Sequence, residues 1–211
     1  MLAVSHLSKS FNHRPVLKNV SFSIKEGETV VILGKNGAGK STLLRIIARI
    51  LACDGGDVLF QNNDLLKGVP NTRKNLLYLG HAPAMYTALS AVENLKLAMD
   101  LRDQLTSQPI IRNYLGNFGL TDQADDPISI YSQGMLQRLK LTYAELADWD
   151  LLLIDEPFSG LDQDGVTQMD DALTRWKLGG KSMCMVLHNR ERAEKYGDRI
   201  LHLNDGIIEK V

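Results

Sequence analysis

The sequence predicts an α/β fold: an open, largely parallel central sheet with helices, antiparallel strands near the N-terminus and a helical insert. Three observations lead there. The apolar, β-branched run Thr29–Leu33 reads as a buried strand and feeds a glycine-rich turn that opens a helix. A second apolar run, Leu151–Ile154, reads as a buried strand ending in paired carboxylates. Between them, from about Pro83 to Trp149, strand patterning gives way to helical spacing. Strands alternating with helices are the pattern of a mainly parallel sheet.

Residues 1–33 read as three strands, Leu2–Leu7, Val16–Ile24 and Thr29–Leu33, separated by turns at Asn12–Pro15 and Lys25-Glu26-Gly27. A helix is expected over Gly39–Leu51, then a turn at Asp54-Gly55-Gly56 and strands at Asp57–Gln61 and Asn75–Gly80. In the insert, Ser90-Ala91-Val92-Glu93 fits a capping box for a helix running to Leu101. Pro109–Phe118 forms a second helix, ending near Gly119. Ser132 caps a third, running to about Ala147. Beyond Leu151–Ile154 come a helix at Gln163–Trp176, a strand at Ser182–Leu187 and a short helix at Asn189–Tyr196. Asp198–Leu203 and Ile207–Val211 flank Asn204-Asp205-Gly206, a hairpin signal.

Composition narrows the function. A net charge of −1 with no Lys/Arg-rich run argues against a nucleic-acid partner. No apolar stretch approaches the ~18–20 residues that span a bilayer. Met1–His6 lacks a basic n-region and a long apolar h-region, so no signal peptide is expected. Cys53 and Cys184 each lie in apolar surroundings outside any C-x-x-C motif, and both read as reduced core residues.

Gly34-Lys35-Asn36-Gly37-Ala38-Gly39-Lys40-Ser41-Thr42 meets the phosphate-binding pattern G-x-x-x-x-G-K-[ST] at every fixed position, between the strand and helix that pattern requires. Glycines let backbone N–H groups approach a polyphosphate, and the helix N-terminus adds partial positive charge. Lys40 would reach the β- and γ-phosphates of a nucleoside triphosphate, and the Ser41 hydroxyl would ligate Mg²⁺. Asp155 and Glu156 supply what a nucleotide hydrolase needs next. Asp155 holds Mg²⁺ through its water shell, and Glu156 orients or deprotonates the attacking water. Other features are open when taken singly: Phe11 also reads as a core aromatic, His188 as a satisfied strand-end histidine, and Asp162 as a cap for the helix from Gln163.

In order and spacing these elements resemble the ATP-binding subunits of ABC transporters, over almost the whole chain. Phe11 stands where that family stacks an aromatic ring on adenine. Tyr131-Ser132-Gln133-Gly134-Met135-Leu136-Gln137 resembles its signature L-S-G-G-Q, with Gln133 where many relatives have glycine. His81 occupies the place of a glutamine that senses Mg²⁺ and the membrane subunit. Ser159-Gly160-Leu161-Asp162 matches the loop after the Mg²⁺ strand, and His188 the switch histidine that contacts the γ-phosphate.

The resemblance implies an ABC-type P-loop NTPase fold over residues 1–211, with a helical subdomain at about 83–149. It implies ATP and Mg²⁺ as cofactors, with Ser41, Asp155 and His81 toward the metal. It also implies a homodimer in which Ser132, Gln133 and Gly134 of one copy close on the ATP of the other. The resemblance further implies integral membrane subunits as partners, which would place the chain at the cytoplasmic face of the inner membrane. Tyr78-Leu79-Gly80-His81-Ala82-Pro83, followed by Leu89-Ser90-Ala91-Val92-Glu93-Asn94-Leu95, is similar to the haem exporter subunits of cytochrome c biogenesis. Ala82–Leu89, with Met85 and Tyr86, reads either as a groove for a membrane subunit's helix or as insert packing. The alternatives are another small ABC exporter, a soluble ABC ATPase, a phosphotransferase and a non-hydrolysing module. A phosphotransferase would share the phosphate loop but not Ser132-x-Gly134, Asp155-Glu156 and Ser159–Asp162 in sequence, and the presence of Lys40, Asp155, Glu156 and His188 argues against a non-hydrolysing module.

Overall fold

The computed structural model describes residues 1–82 and 84–209, leaving out the side chains of Pro70 and Asn71. Pro83, in the haem-exporter resemblance, and Lys210 and Val211, in the expected last strand, lie outside the described residues. The chain divides into two compact units. The first comprises Met1–Gly80, Trp149–Glu156 and Trp176–Val211; the second comprises His81–Asp148 and Pro157–Arg175. The sequence drew the helical part as about 83–149, without the segment Pro157–Arg175, which groups with it through contacts distant in sequence.

The first unit holds two sheets. One is antiparallel, in the order β2-β1-β4-β5, from β1 (Leu2–Phe11), β2 (Arg14–Ile24), β4 (Gly55–Phe60) and the short β5 (Asn63–Asp64). The other has the order β10-β9-β3-β8-β7-β6. Its strands are β3 (Thr29–Leu33), β6 (Leu76–Leu79), β7 (Leu151–Asp155), β8 (Ser182–Val186), β9 (Arg199–Asn204) and β10 (Ile207–Glu209). Every pairing in it is parallel except the β9–β10 hairpin. β3, β7 and β8 are buried at every position, which is why they read as unbroken apolar runs rather than alternating ones. One core cluster takes Leu2 and Val4 from β1, Val30 and Ile32 from β3, Leu153 from β7 and Leu43, Leu44, Ile46 and Ile47 from the helix α1 (Lys40–Ile47).

Several boundaries differ from the sequence reading, each for a local reason. β1 runs on to Phe11 and β2 begins at Arg14, because Asn12 and His13 make the whole turn with φ of 48° and 63°. That turn twists with the strands, so pairing continues to its edge. α1 ends at Ile47 rather than Leu51. Arg49 adopts φ 57°, and the N–H groups of Ile50 and Leu51 turn back to the Arg45 carbonyl, closing the helix without glycine. Asp205 and Gly206 form the terminal hairpin turn, with φ of 47° and 79°. Of the cysteines, Cys184 is buried and Cys53 is half-buried against the core.

The second unit packs three helices, α2 (Ala91–Asp100), α3 (Gln108–Asn117) and α4 (Gln133–Leu146), around Leu95, Ile111, Leu115 and Leu139. It also takes most of α5 (Gln163–Leu178). The capping box forms as the sequence expects: the Glu93 N–H donates to Ser90 Oγ at 3.2 Å, and the Ser90 N–H donates to Glu93 Oε2 at 2.8 Å. Asn94, which nothing in the sequence marks out, organises the segment before it. Its Nδ2 donates to the carbonyls of Tyr86, Leu89 and Ser90, and its Oδ1 accepts the Tyr86 N–H. Asn94 is 4% exposed, so Asn94→Ala strands several backbone groups. The expected loss in denaturant unfolding is about 1–3 kcal/mol.

Candidate functional site

The phosphate loop is wound by constraints at both ends. Gly34 leaves β3 against β9, where a Cβ would lie 2.1 Å from the Leu203 carbonyl oxygen, so only glycine lets the two backbones come so close. Gly39 enters α1 with φ 103°, and a Cβ there would stand 2.9 Å from Leu17. The first-turn N–H groups of α1 have no intrahelical acceptor, the usual condition of a helix start. Lys40 sits inside the wind at 5% exposure and donates to the carbonyls of Gly34 at 2.7 Å and Lys35 at 2.9 Å. Burial pulls its pKa below the ordinary lysine value, while the negative charges of Glu156 and Asp155 oppose that shift.

These residues border a cleft of about 460 Å³, within the size range of small-molecule sites. Phe11, Asn36, Gly37, Gly39, Lys40, Ser41, Thr42 and Glu156 line it, as does Val16, which the sequence reading passed over. Gly34, Lys35 and Ala38 belong to the loop's frame rather than to the lining. Phe11 is 43% exposed, so the core-aromatic alternative does not describe it.

Asp155 closes β7 at 2% exposure. Glu156 follows with φ 53°, a left-handed conformation rare for residues other than glycine and often found at functional sites. Its N–H is fixed to the Val186 carbonyl at 3.1 Å, tying it to β8. His188 lies just beyond the end of β8, and its Nε2 stands 2.6 Å from Glu156 Oε1. An ionised carboxylate can only accept, so the imidazole donates. The sequence proposed these two residues separately; parallel pairing of β7 with β8 makes them partners.

A metal fits the donor chemistry here only as a hard, water-rich cation. Ser41 and Asp155 offer oxygen alone, which suits Mg²⁺. Among the described residues no group of three or more His, Cys, Asp or Glu forms a closed cage. His81, the third proposed metal-side residue, belongs to the second unit. Its side chain is exposed, and its carbonyl accepts from Lys140 Nζ at 2.9 Å.

In the second unit the signature segment and the loop after Glu156 are fastened together. Ser132 caps α4, accepting from the Met135 N–H at 3.2 Å. Gln133 lies over Gly160, where a Cβ would meet Gln133 Cγ at 2.7 Å. Gln137 Nε2 donates to the Pro157 carbonyl at 2.6 Å. Arg138 Nη2 bonds both oxygens of Asp162, at 2.6 and 2.8 Å. Asp162 also accepts the Gly165 N–H at 2.9 Å, so it caps α5 as well. Arg138 first, and then that backbone N–H, hold its carboxyl below the usual carboxylate range. Ser159 and Leu161, between these anchors, are half-buried. Gln137, quoted within the signature-like segment, was given no role of its own, and Arg138 was passed over. Met85 packs against the helical core, whereas Tyr86 is 63% exposed. No helix among the described residues is long and apolar enough to cross a membrane.

Comparison with known proteins adds three findings. Residues 17–159 match the ABC transporter family. The chain is 31% identical over 205 residues to the cytochrome c biogenesis ATP-binding export protein CcmA of Vibrio cholerae, covering 97% of this chain and 99% of that protein. It is 29% identical to the lantibiotic transport ATP-binding protein SrtF of Streptococcus pyogenes, covering 100% of this chain and 90% of that one. A dimeric structure of a post-hydrolysis state of the ATP-binding cassette MJ0796, bound to ADP and Pi, superposes with a TM-score of 0.89 at 25% identity, covering 100% of this chain and 97% of that one.

Lys40→Met keeps the length of the side chain but removes the buried cation. Equilibrium ATP binding is expected to weaken by about 10- to 100-fold, the worth of a charged hydrogen bond. Titration calorimetry on folded protein checks it.

Proposed function

Because the chain belongs to the ABC transporter family as an ATP-binding, ATP-hydrolysing cassette, we propose that it is the motor subunit of a transporter whose translocation path lies in other polypeptides. The observation that carries the residue roles is the shared cleft: Lys40 and Glu156 line one space, and His188 stands 2.6 Å from Glu156.

In this reading Gly34–Thr42 wraps the phosphates and Phe11 stacks on the adenine. Lys40 neutralises charge on the β- and γ-phosphates. Glu156 orients or deprotonates the attacking water, and His188 both holds Glu156 and contacts the γ-phosphate. Ser41 and Asp155 would hold Mg²⁺, with His81 kept as a proposed metal-side residue, and the ion would supply charge neutralisation at the phosphates. The chemistry is then positioning plus electrostatic stabilisation.

Two copies are expected to pair with Ser132, Gln133 and Gly134 of each against the ATP of the other, and with Ser159–Asp162 at the seam. The dimeric structure of MJ0796, a bacterial ABC transporter cassette, supports pairing of two copies. ATP binding closes the dimer, hydrolysis opens it, and integral membrane subunits at the cytoplasmic face follow. Export of haem in cytochrome c biogenesis is the reading favoured by the CcmA relative, whose length the chain nearly matches, and by the Gly80-His81 pair. A different small exporter is the second reading, favoured by the lantibiotic transport relative at 29% identity.

Glu156→Gln is expected to cut steady-state ATP turnover by about 10²- to 10⁴-fold while ATP binding persists; unchanged turnover would remove Glu156 from the chemistry. The same variant, tagged and recovered with ATP from gently solubilised membranes, identifies the transporter by mass spectrometry of what comes with it. Multi-helix membrane subunits accompanied by haem-handling or cytochrome c assembly proteins support haem export. A different permease moves the assignment to the second reading, and recovery of no membrane protein points to a soluble ABC ATPase.

A further inference from the structure

Phe11 ends β1, and Lys9 lies two residues earlier on the same face of that strand. Phe11 lines the cleft; Lys9 does not. The Lys9 ammonium instead stands 5.3 Å from the centroid of the Phe11 ring, within cation–π range. One face of the ring is thus occupied by a cation, and the ring borders the cleft.

The ammonium is itself held. Lys9 Nζ donates to Asp54 Oδ1 at 2.9 Å, and the Lys9 side chain is only 14% exposed. Asp54 Oδ2 accepts the Ser10 N–H at 2.6 Å, and the Asp54 N–H donates to the Ser8 carbonyl at 2.9 Å. Asp54 therefore grips the strand at Ser8, Lys9 and Ser10. The grip matters because the β1–β2 register shifts between Leu7 and Lys9 and again between Lys9 and Ser10. The ladder resumes with Ser10 opposite Pro15 and Phe11 opposite Arg14, so Asp54 adds a second hold on the strand where its register shifts. The acidic bond keeps the cation against the ring, and the backbone bonds keep the ring at the cleft's edge.

We propose that Lys9, braced by Asp54, is a positioning residue for nucleotide binding: it fixes the Phe11 ring and, by drawing π-density to the covered face, strengthens stacking of a purine base on the open one. The inference rests on the reading of Phe11 as the base platform. It assigns Lys9 an effect on the base and none on the phosphates, although Lys9 carries a charge that would attract phosphate if it faced the cleft.

The test is calorimetric titration of the full chain with ATP and with inorganic tripolyphosphate, on wild type, Lys9→Met, Lys9→Arg, Phe11→Leu and Lys9→Met with Phe11→Leu. Lys9→Met is expected to raise the Kd for ATP about two- to fivefold, the scale of one exposed cation–π contact. Tripolyphosphate binding should be unchanged, Lys9→Arg should restore ATP affinity, and Lys9→Met should add nothing in the Phe11→Leu background. In turnover assays the same variant should raise KM for ATP with kcat unchanged. If Phe11→Leu weakens ATP binding and Lys9→Met does not, the proposal falls while the role of Phe11 stands. Equal losses for ATP and tripolyphosphate also overturn it, because Lys9 would then be acting on phosphate charge. If Phe11→Leu leaves ATP binding unchanged, the base-platform reading fails and takes the proposal with it.

Discussion

A buried cation inside its own backbone loop is the constraint around which the site is arranged. An ammonium removed from water is costly unless its hydrogens are satisfied and its charge is offset. For Lys40 the Gly34 and Lys35 carbonyls accept two of its three hydrogens, and Glu156 and Asp155 supply negative charge. The loop is thereby held in a wound form by the residue proposed to bind phosphate. An arriving polyphosphate meets a cation already stripped of much of its hydration, and the loop needs little ordering to receive it. Much of the entropic cost of shaping the site is thus met in folding.

The parallel sheet brings the proposed catalytic groups to that cation. β3, β7 and β8 are neighbours, so the chain segments leaving their C-terminal ends emerge side by side, as the ligand sites of open α/β sheets do. The register sets Asp155 beside Val186. The next residue, Glu156, is turned into a left-handed conformation by its bond to the Val186 carbonyl, and its side chain meets His188. The strain at Glu156 fits a residue whose position is dictated by its neighbours rather than by its own backbone preference.

The helical unit is organised differently, by polar side chains that bind backbone. Asn94 ties down the segment from Tyr86 to Ser90, while Gln137 and Arg138 tie down Pro157 and Asp162. Two stretches that begin immediately after residues of the first unit, at His81 and at Pro157, are each anchored to α4. A segment without regular secondary structure stays ordered only where its carbonyls and N–H groups find such partners.

The sequence by itself determined the elements and the chemistry of the nucleotide loop. Unbroken apolar runs read as buried strands, and Gly34–Thr42 carries its structural requirements within nine adjacent residues. Ser90 and Glu93, three positions apart at one helix start, were legible for the same reason: the contact is local. What only the tertiary structure decided was every pairing across long separation. These include Glu156 with His188, Gln133 over Gly160, Arg138 with Asp162, and Lys9 between Phe11 and Asp54. The same holds for the grouping of Pro157–Arg175 with the helices. Periodicity reports which face of an element is apolar. It carries no information about which distant backbone a buried polar side chain will reach, because that is set by strand order and register once the core has closed.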